Sequence, residues 1–265
     1  MDLILILIKF YSIVLLFRYV MTTQELAFNS LGRGIAALTN PLFKPLKVPK
    51  SSEGILIPLS IAALFFLYGL FLSLARGVSL LAALAVAVQE LANFLTLFFI
   101  VCVILGSITS PSFGGLPLYI FRLGKLWVKP VQNFTKIRTN NAVFPALVLI
   151  ILLDALIWGA AVFFDPFTPD NMSIRTLILQ NFGINILVTL LHYLIFLIIA
   201  RALLSWFNPD PRNTLVQLIY YVTEPVLSPL RRIIPPLGML DLSAFITIIV
   251  LGIAAQILTK LFLIL

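Results

Sequence analysis

The sequence predicts an all-α membrane protein: six transmembrane helices arranged as three parallel two-span repeats, each with a short amphipathic interfacial helix in the cytoplasmic loop. Three observations carry that expectation. The chain has 265 residues, 61% hydrophobic and 11% charged, with a mean hydropathy of +1.12. Soluble domains hold roughly 45–50% apolar and about 25% charged residues, so water is the wrong solvent for this chain. Six separate apolar runs reach the length of about 20 residues that a spanning helix needs. Finally, a loop pattern of prolines and a base recurs along the chain.

The first run, 3–20, follows Asp2 without a basic leader and shows no small-residue cleavage site before Tyr19. It is read as a retained span rather than a secretory signal. The others are 54–75, 78–106, 142–164, 182–207 and 242–265. Backbone groups in hydrocarbon must bond within their own segment, which makes each run a helix. Run 78–106 is long and carries Gln89, Glu90 and Asn93, so it is expected to tilt or to begin at the interface. Pro58 and Pro145 fall in the first turns of spans two and four, where a missing N–H is tolerated. Cys102 is the single cysteine and lies in an apolar run, so it is expected to be a buried hydrophobe without a disulfide partner.

Charge sets the orientation. The loops after spans one, three and five hold twelve Lys and Arg residues, while those after spans two and four hold Arg76 and Arg175. The positive-inside rule then makes the odd loops cytoplasmic and puts both termini on the opposite side. The net charge of +8 is thus read as membrane orientation, and no nucleic-acid partner is expected.

The odd loops resemble one another. TNPLFKPLK, from Thr39 to Lys47, matches TEPVLSPLR, from Thr223 to Arg231, at a constant offset of 184. Upstream, Arg18 aligns with Arg201 and Lys9 with His192 at an offset of 183. The middle loop, VKPVQNFTK, keeps Pro130 and Lys136 but has Phe134 at the second proline position. Three units follow: 1–75, a degenerate 76–164, and 182–265. Each contributes two crossings, so the copies run parallel, which weakens a reading built on inverted repeats.

The last bend can be followed residue by residue. Pro209 and Pro211 stop the fifth span. Asn213 then caps a short helix to about Val222 with Leu218, Ile219 and Val222 on one side. Glu224-Pro225 is expected to end that helix, and a second turn to run from Val226 to Ile234. Such segments lie in the interface plane with bases near anionic headgroups. The residues expected to touch lipid or a partner are Arg201, Glu224, Pro225, Pro229, Arg231, Arg232 and Asp241, with Lys44, Pro45 and Lys47 in the first copy.

The stretch from Arg201 to Phe245 resembles the signature of the YggT family, called YlmG in some relatives. The resemblance rests on Arg201, the tryptophan-proline break, Thr223-Glu224-Pro225, Pro229 with Arg231-Arg232, Pro235 and Asp241-Leu242-Ser243. Where the family commonly continues with proline, this chain has Ala244. The strong match covers roughly 185–260, with 3–75 a weaker copy and 97–164 a remnant. The resemblance implies a bacterial inner-membrane or plastid-membrane protein. Relatives are linked to osmotic or envelope stress, to the region of cell-division genes, and in plastids to assembly of a cytochrome complex and nucleoid positioning. It implies no catalytic residues.

Intramembrane ionisable groups are suspects by default. Lys9 is expected to snorkel toward the outer headgroups, and His192 to bond another helix. Glu90 is expected in the outer interface. Asp154, inside ILLDALIW, is expected to be protonated or paired with a base from another span, and its structural and functional readings stand level. Arg18 and Arg201 admit lipid anchoring or an internal pair such as Arg201 with Glu224. One histidine cannot supply two haem ligands or a convincing Ser-His-Asp set, and there is no zinc spacing or phosphate-cradling loop. The expectation is a non-enzymatic membrane assembly, scaffold or stress factor without a cofactor, binding anionic lipid or a membrane-protein partner. The alternative is a transport component with Glu90, Asp154 and His192 lining a polar path.

Overall fold

The computed structural model describes residues 2–44, 52–108, 115–136, 140–162, 164, 173, 176, 179–207, 210, 213–232 and 242–264. Every regular element among them is helical. Two compact units emerge: residues Met1–Pro111 with Leu118–Asn171, and residues Ser112–Pro117 with Met172–Leu265.

The first unit opens with α1 (Asp2–Val20), the short α2 (Thr23–Phe28) and α3 (Ser30–Phe43). Thr22 caps α2 by accepting from the Glu25 N–H, while the Glu25 carboxylate accepts from the Thr22 N–H. This reciprocal box satisfies two donors that a helix start leaves open. Next come α4 (Glu53–Arg76), α5 (Leu80–Ile108), α6 (Leu116–Thr135) and α7 (Val143–Val162). Helix α5 is the hub, with α4 and α7 against it and α1 against α4. Leu5 and Ile8 of α1, Tyr68 and Leu72 of α4 and Ala83 and Ala87 of α5 share one core. A second core joins Val14, Met21, Leu26, Ile35 and Tyr119 beneath α2 and α3.

The second unit begins with a π-helical stretch, Asn181–Val188, which runs into α8 (Thr189–Phe207). Helix α9 (Thr214–Arg231) and α10 (Leu242–Ile264) complete it. Ile198 of α8, Leu227 of α9 and Ala244 of α10 meet at its centre. Gly183 lies flat on the Phe262 ring, with no room for a side chain.

Among the described residues, six helical segments are long and apolar enough to cross a bilayer: Leu3–Val20, Glu53–Arg76, Leu80–Ser107, Val143–Val162, Asn181–Ser205 and Leu242–Ile264. They coincide with the six runs read from the sequence to within a few residues. Pro145 sits in the first turn of α7, but Pro58 lies a turn deeper in α4, because that helix already starts at Glu53.

The expected break at Glu224-Pro225 does not occur. Helix α9 continues to Arg231 with Pro225 and Pro229 inside it, as α3 contains Pro41 and α6 contains Pro130. A proline removes the bond to the carbonyl four residues earlier. Here each proline and the residue bearing that carbonyl are exposed: Pro41 with Ala37, Pro130 with Leu126, Pro225 with Tyr221. The freed carbonyls therefore belong to exposed residues, so losing one helical bond strands no buried acceptor, and the helix continues. Pro45, Lys47, Pro235, Pro236 and Asp241 lie outside the described residues.

Candidate functional site

Two arginines organise the bends. Arg201, near the end of α8, is buried and donates from Nη1 to Thr223 Oγ1 at 2.8 Å and from Nη2 to Glu224 Oε2 at 2.6 Å. Its guanidinium also lies 4.2 Å from the Tyr220 ring centroid. Thr223 is fully buried and passes its own hydroxyl proton to the Ile219 carbonyl at 2.6 Å. Arg231 reaches the same Glu224 carboxylate at 3.3 Å from the exposed side. Glu224 therefore bridges a buried and a surface arginine, as one carboxylate with several lone pairs can.

Arg18 repeats the arrangement at the end of α1. It donates to Thr39 Oγ1 at 2.6 Å, and Thr39, also fully buried, donates to the Ile35 carbonyl at 2.7 Å. Asn40, in the place of Glu224, accepts from Arg18 at 3.0 Å. The acid comes instead from Glu53 at the head of α4, which holds Arg18 through two bonds of 2.8 and 3.2 Å. The Phe43 ring takes the position over the guanidinium, 4.7 Å away. A charge removed from water needs this degree of satisfaction, since an unpaired buried arginine is costly.

The loop expected from the sequence to be a middle copy has neither partner. Val128 and Lys129 stand where Thr39-Asn40 and Thr223-Glu224 stand, and no arginine ends α5. Close backbone packing replaces the knot: a Cβ at Gly124 of α6 would be 2.5 Å from the Cys102 carbonyl oxygen of α5. Helix α6 is tied to α2 by Arg122, which bonds Glu25 at 2.7 Å and the Val20 carbonyl at 3.1 Å. Burial raises the Glu25 carboxyl, but bonds from Arg122 and from the Thr22 backbone and hydroxyl outweigh it and hold the group below the usual carboxylate range.

The intramembrane groups take other partners than the sequence suggests. Lys9 does not snorkel outward; it meets Glu90 at 2.8 Å, each side chain one-third exposed. A lysine among apolar neighbours is better served by a carboxylate at contact distance than by stretching its chain to headgroups. Glu90 is correspondingly well inside α5 rather than at its start. Gln89 precedes it and Asn93 and Thr96 follow along α5, and Thr96 donates to the buried Asp154 of α7 at 3.0 Å. His192 bonds the Val188 carbonyl of its own helical segment at 2.9 Å instead of another helix. Within the first unit, Glu90 and Asp154 thus have separate partners. Lys44, Pro225, Pro229 and Arg232 are exposed.

Thr39 and Thr223 were not among the residues expected to matter, although the repeated Thr-x-Pro already marked them. Glu53 carries no such mark, being absent from the aligned segment.

Residues 180–262 match the family model described as CCB3/YggT. An uncharacterized protein of Haemophilus influenzae is 38% identical over 56 residues, 21% of this chain and 30% of that protein. An uncharacterized protein of Vibrio alginolyticus, described as lying in the proC 3′ region, is 39% identical over 56 residues, again 21% and 30%. One from Pseudomonas aeruginosa is 37% identical over 73 residues, 28% of this chain and 37% of the relative. The chain thus spans about a third of the length of the curated relatives it matches. No solved structure matches it. Residues 180–262, with the Arg201 knot at their bend, are a CCB3/YggT-family domain.

Proposed function

We propose that this multi-pass membrane protein is a non-enzymatic scaffold of the bacterial inner membrane, acting in membrane assembly or in the response to osmotic or envelope stress. The observation that carries the reading is the arginine–threonine–acid knot found in both the first and last hairpins. Its role is to hold α3 and α9 across the ends of their spans, flat at the cytoplasmic leaflet, as copies of one repeated unit. Their outer sides, with Leu38 and Leu42 on α3 and Tyr221 on α9, meet headgroups or a membrane-protein partner. Lys9–Glu90 and Thr96–Asp154 then serve helix packing, consistent with polar pairs as glue between spans.

The test uses the native host lacking this chain. Wild type and an Arg18→Met/Arg201→Met variant are compared for growth after osmotic shift, together with a single cysteine label at Ser228 in native membranes. The expected result is rescue by wild type alone and a label reached by lipid-borne quenchers. A label reached only by water-borne quenchers, or rescue by a variant whose bends are no longer folded, overturns the reading.

A further inference from the structure

Helix α6 carries two exposed stripes that the scaffold reading does not use. Lys125 and Lys129 are exposed and one helical turn apart, so they share one side, and Lys136 is exposed just past the end of the helix. One register further on, Leu126, Pro130 and Phe134 are exposed as well, with Phe134 at 91%. The buried side of α6, including Tyr119, Ile120, Leu123 and Val131, lies opposite the lysines. Leu126 and Pro130 therefore run between the packed face and the cationic one, and Phe134, in the last turn, is exposed in line with Leu123.

Two further details point the same way. Lys136 has φ 58, the one positive-φ residue other than glycine among those described. Helix ends of this kind favour glycine or asparagine, and here a lysine takes the position with its side chain exposed. No acid occurs between Leu116 and Arg138, so nothing on this helix neutralises the lysines. By contrast, Arg18 and Arg201 are engaged internally. Lys125 lies over the Phe121 ring at 4.2 Å, a contact that leaves its ammonium free to meet an anion.

We infer that α6 is the segment of this protein that selects anionic lipid, with Leu126 and Phe134 inserted beside the headgroups and Lys125, Lys129 and Lys136 on their phosphates. This rests on the reading that the odd loops lie along the cytoplasmic leaflet. A cationic stripe beside an apolar one is the composition of a helix in the interface plane, and each basic residue near an anionic surface adds to the attraction. The loss of the arginine knot from the middle unit fits this division: α3 and α9 are fixed by their spans, whereas α6 presents its charge outward.

The experiment uses the full chain with Cys102→Ala, reconstituted in nanodiscs of phosphatidylcholine alone or with phosphatidylglycerol added. An environment-sensitive label is placed at Phe134→Cys or, in a separate sample, at Ser228→Cys. Quenching by brominated acyl chains at position 134 is expected to be several-fold greater with phosphatidylglycerol, and the difference to vanish in the Lys125→Gln/Lys129→Gln/Lys136→Gln variant or in high salt. Equal quenching at 134 in both discs, or a difference that survives the triple change, overturns the inference. If 134 stays in water while 228 is quenched, α6 fails and the flat-lying scaffold stands. If neither is quenched, both readings fall.

Discussion

Arg18 and Glu53 meet through two hydrogen bonds of 2.8 and 3.2 Å, with both side chains more than nine-tenths buried. They join the end of one span to the head of the next. In the last hairpin the equivalent acid, Glu224, comes from the amphipathic helix itself and is 47% exposed. The same guanidinium problem has been solved once from the following span and once from the intervening helix, so the two knots should respond differently to the same change.

Glu53→Ala is expected to cost about 3–5 kcal/mol, because it leaves Arg18 buried without its counter-charge. Glu224→Ala should cost less, since Glu224 is half-exposed and water can approach Arg201 in its place. Replacing both members at once, Arg18→Met with Glu53→Leu, should recover most of the loss. Thr39→Val and Thr223→Val are each expected to cost about 1–3 kcal/mol, and the serine variants much less. Unfolding of the purified protein in mixed micelles measures all of these. Equal losses for Glu53→Ala and Glu224→Ala would contradict the burial argument.

The glycines divide into those that permit contact and those that do not. At Gly124 an added methyl would meet the Cys102 carbonyl at 2.5 Å, a backbone atom that has no rotamer to adopt. Gly124→Ala should therefore push α6 off α5 and lower stability by about 1–3 kcal/mol. Gly34, on the exposed side of α3, has nothing within 4 Å. Gly34→Ala is expected to be neutral or to stabilise by up to about 1 kcal/mol through helix propensity. Opposite signs for the two substitutions in a thermal melt are the signature; a loss at Gly34 matching that at Gly124 would refute it.

Much of the fold was legible because a bilayer imposes a length. Each spanning run had to reach about 20 residues, and the boundaries of α1 and α10 and the end of α8 follow directly from it. The repeated Thr-x-Pro likewise marked where the bends lie. What the chain order hid is pairing across distance: Lys9 and Glu90 are 81 positions apart, and Arg18 and Glu53 are 35 apart. Nothing local in either segment names the other. The expectation of a break at Glu224-Pro225 failed for a different reason. The rule that proline stops a helix assumes that the orphaned carbonyl has no other partner. At Pro41, Pro130 and Pro225 that carbonyl lies on an exposed side, which sequence alone did not reveal.

Acid should weaken the α2–α6 contact. The folded-state value of Glu25 is held below the ordinary one, so it contributes stability that is present above the unfolded carboxylate value and lost as pH falls through the folded one. The loss is expected below about pH 4.3, the unperturbed glutamate value. Hydrogen-exchange protection across 22–28, taken relative to the intrinsic rate at each pH, should fall there in wild type, while Glu25→Gln should show the lower protection already at neutral pH and little further change. If wild type and variant keep the same difference at pH 3.5 and pH 7, the bond to Arg122 is not the stabilising one.

The Lys9–Glu90 pair offers the sharpest test of the helix arrangement, because no local sequence feature requires it. Lys9→Glu sets two acids against each other inside α1 and α5, and Glu90→Lys sets two bases. Each is expected to lower stability by roughly 2 kcal/mol or more, since an intramembrane charge keeps its desolvation cost when its partner is lost. The exchange variant, Lys9→Glu with Glu90→Lys, restores opposite charges at the same contact and should return to within about 1 kcal/mol of wild type. The coupling that remains after subtracting the single effects measures the interaction itself. An exchange variant as unstable as the worse single change would mean that α1 and α5 do not meet at these positions, and the packing of the first hairpin against the third span would have to be redrawn.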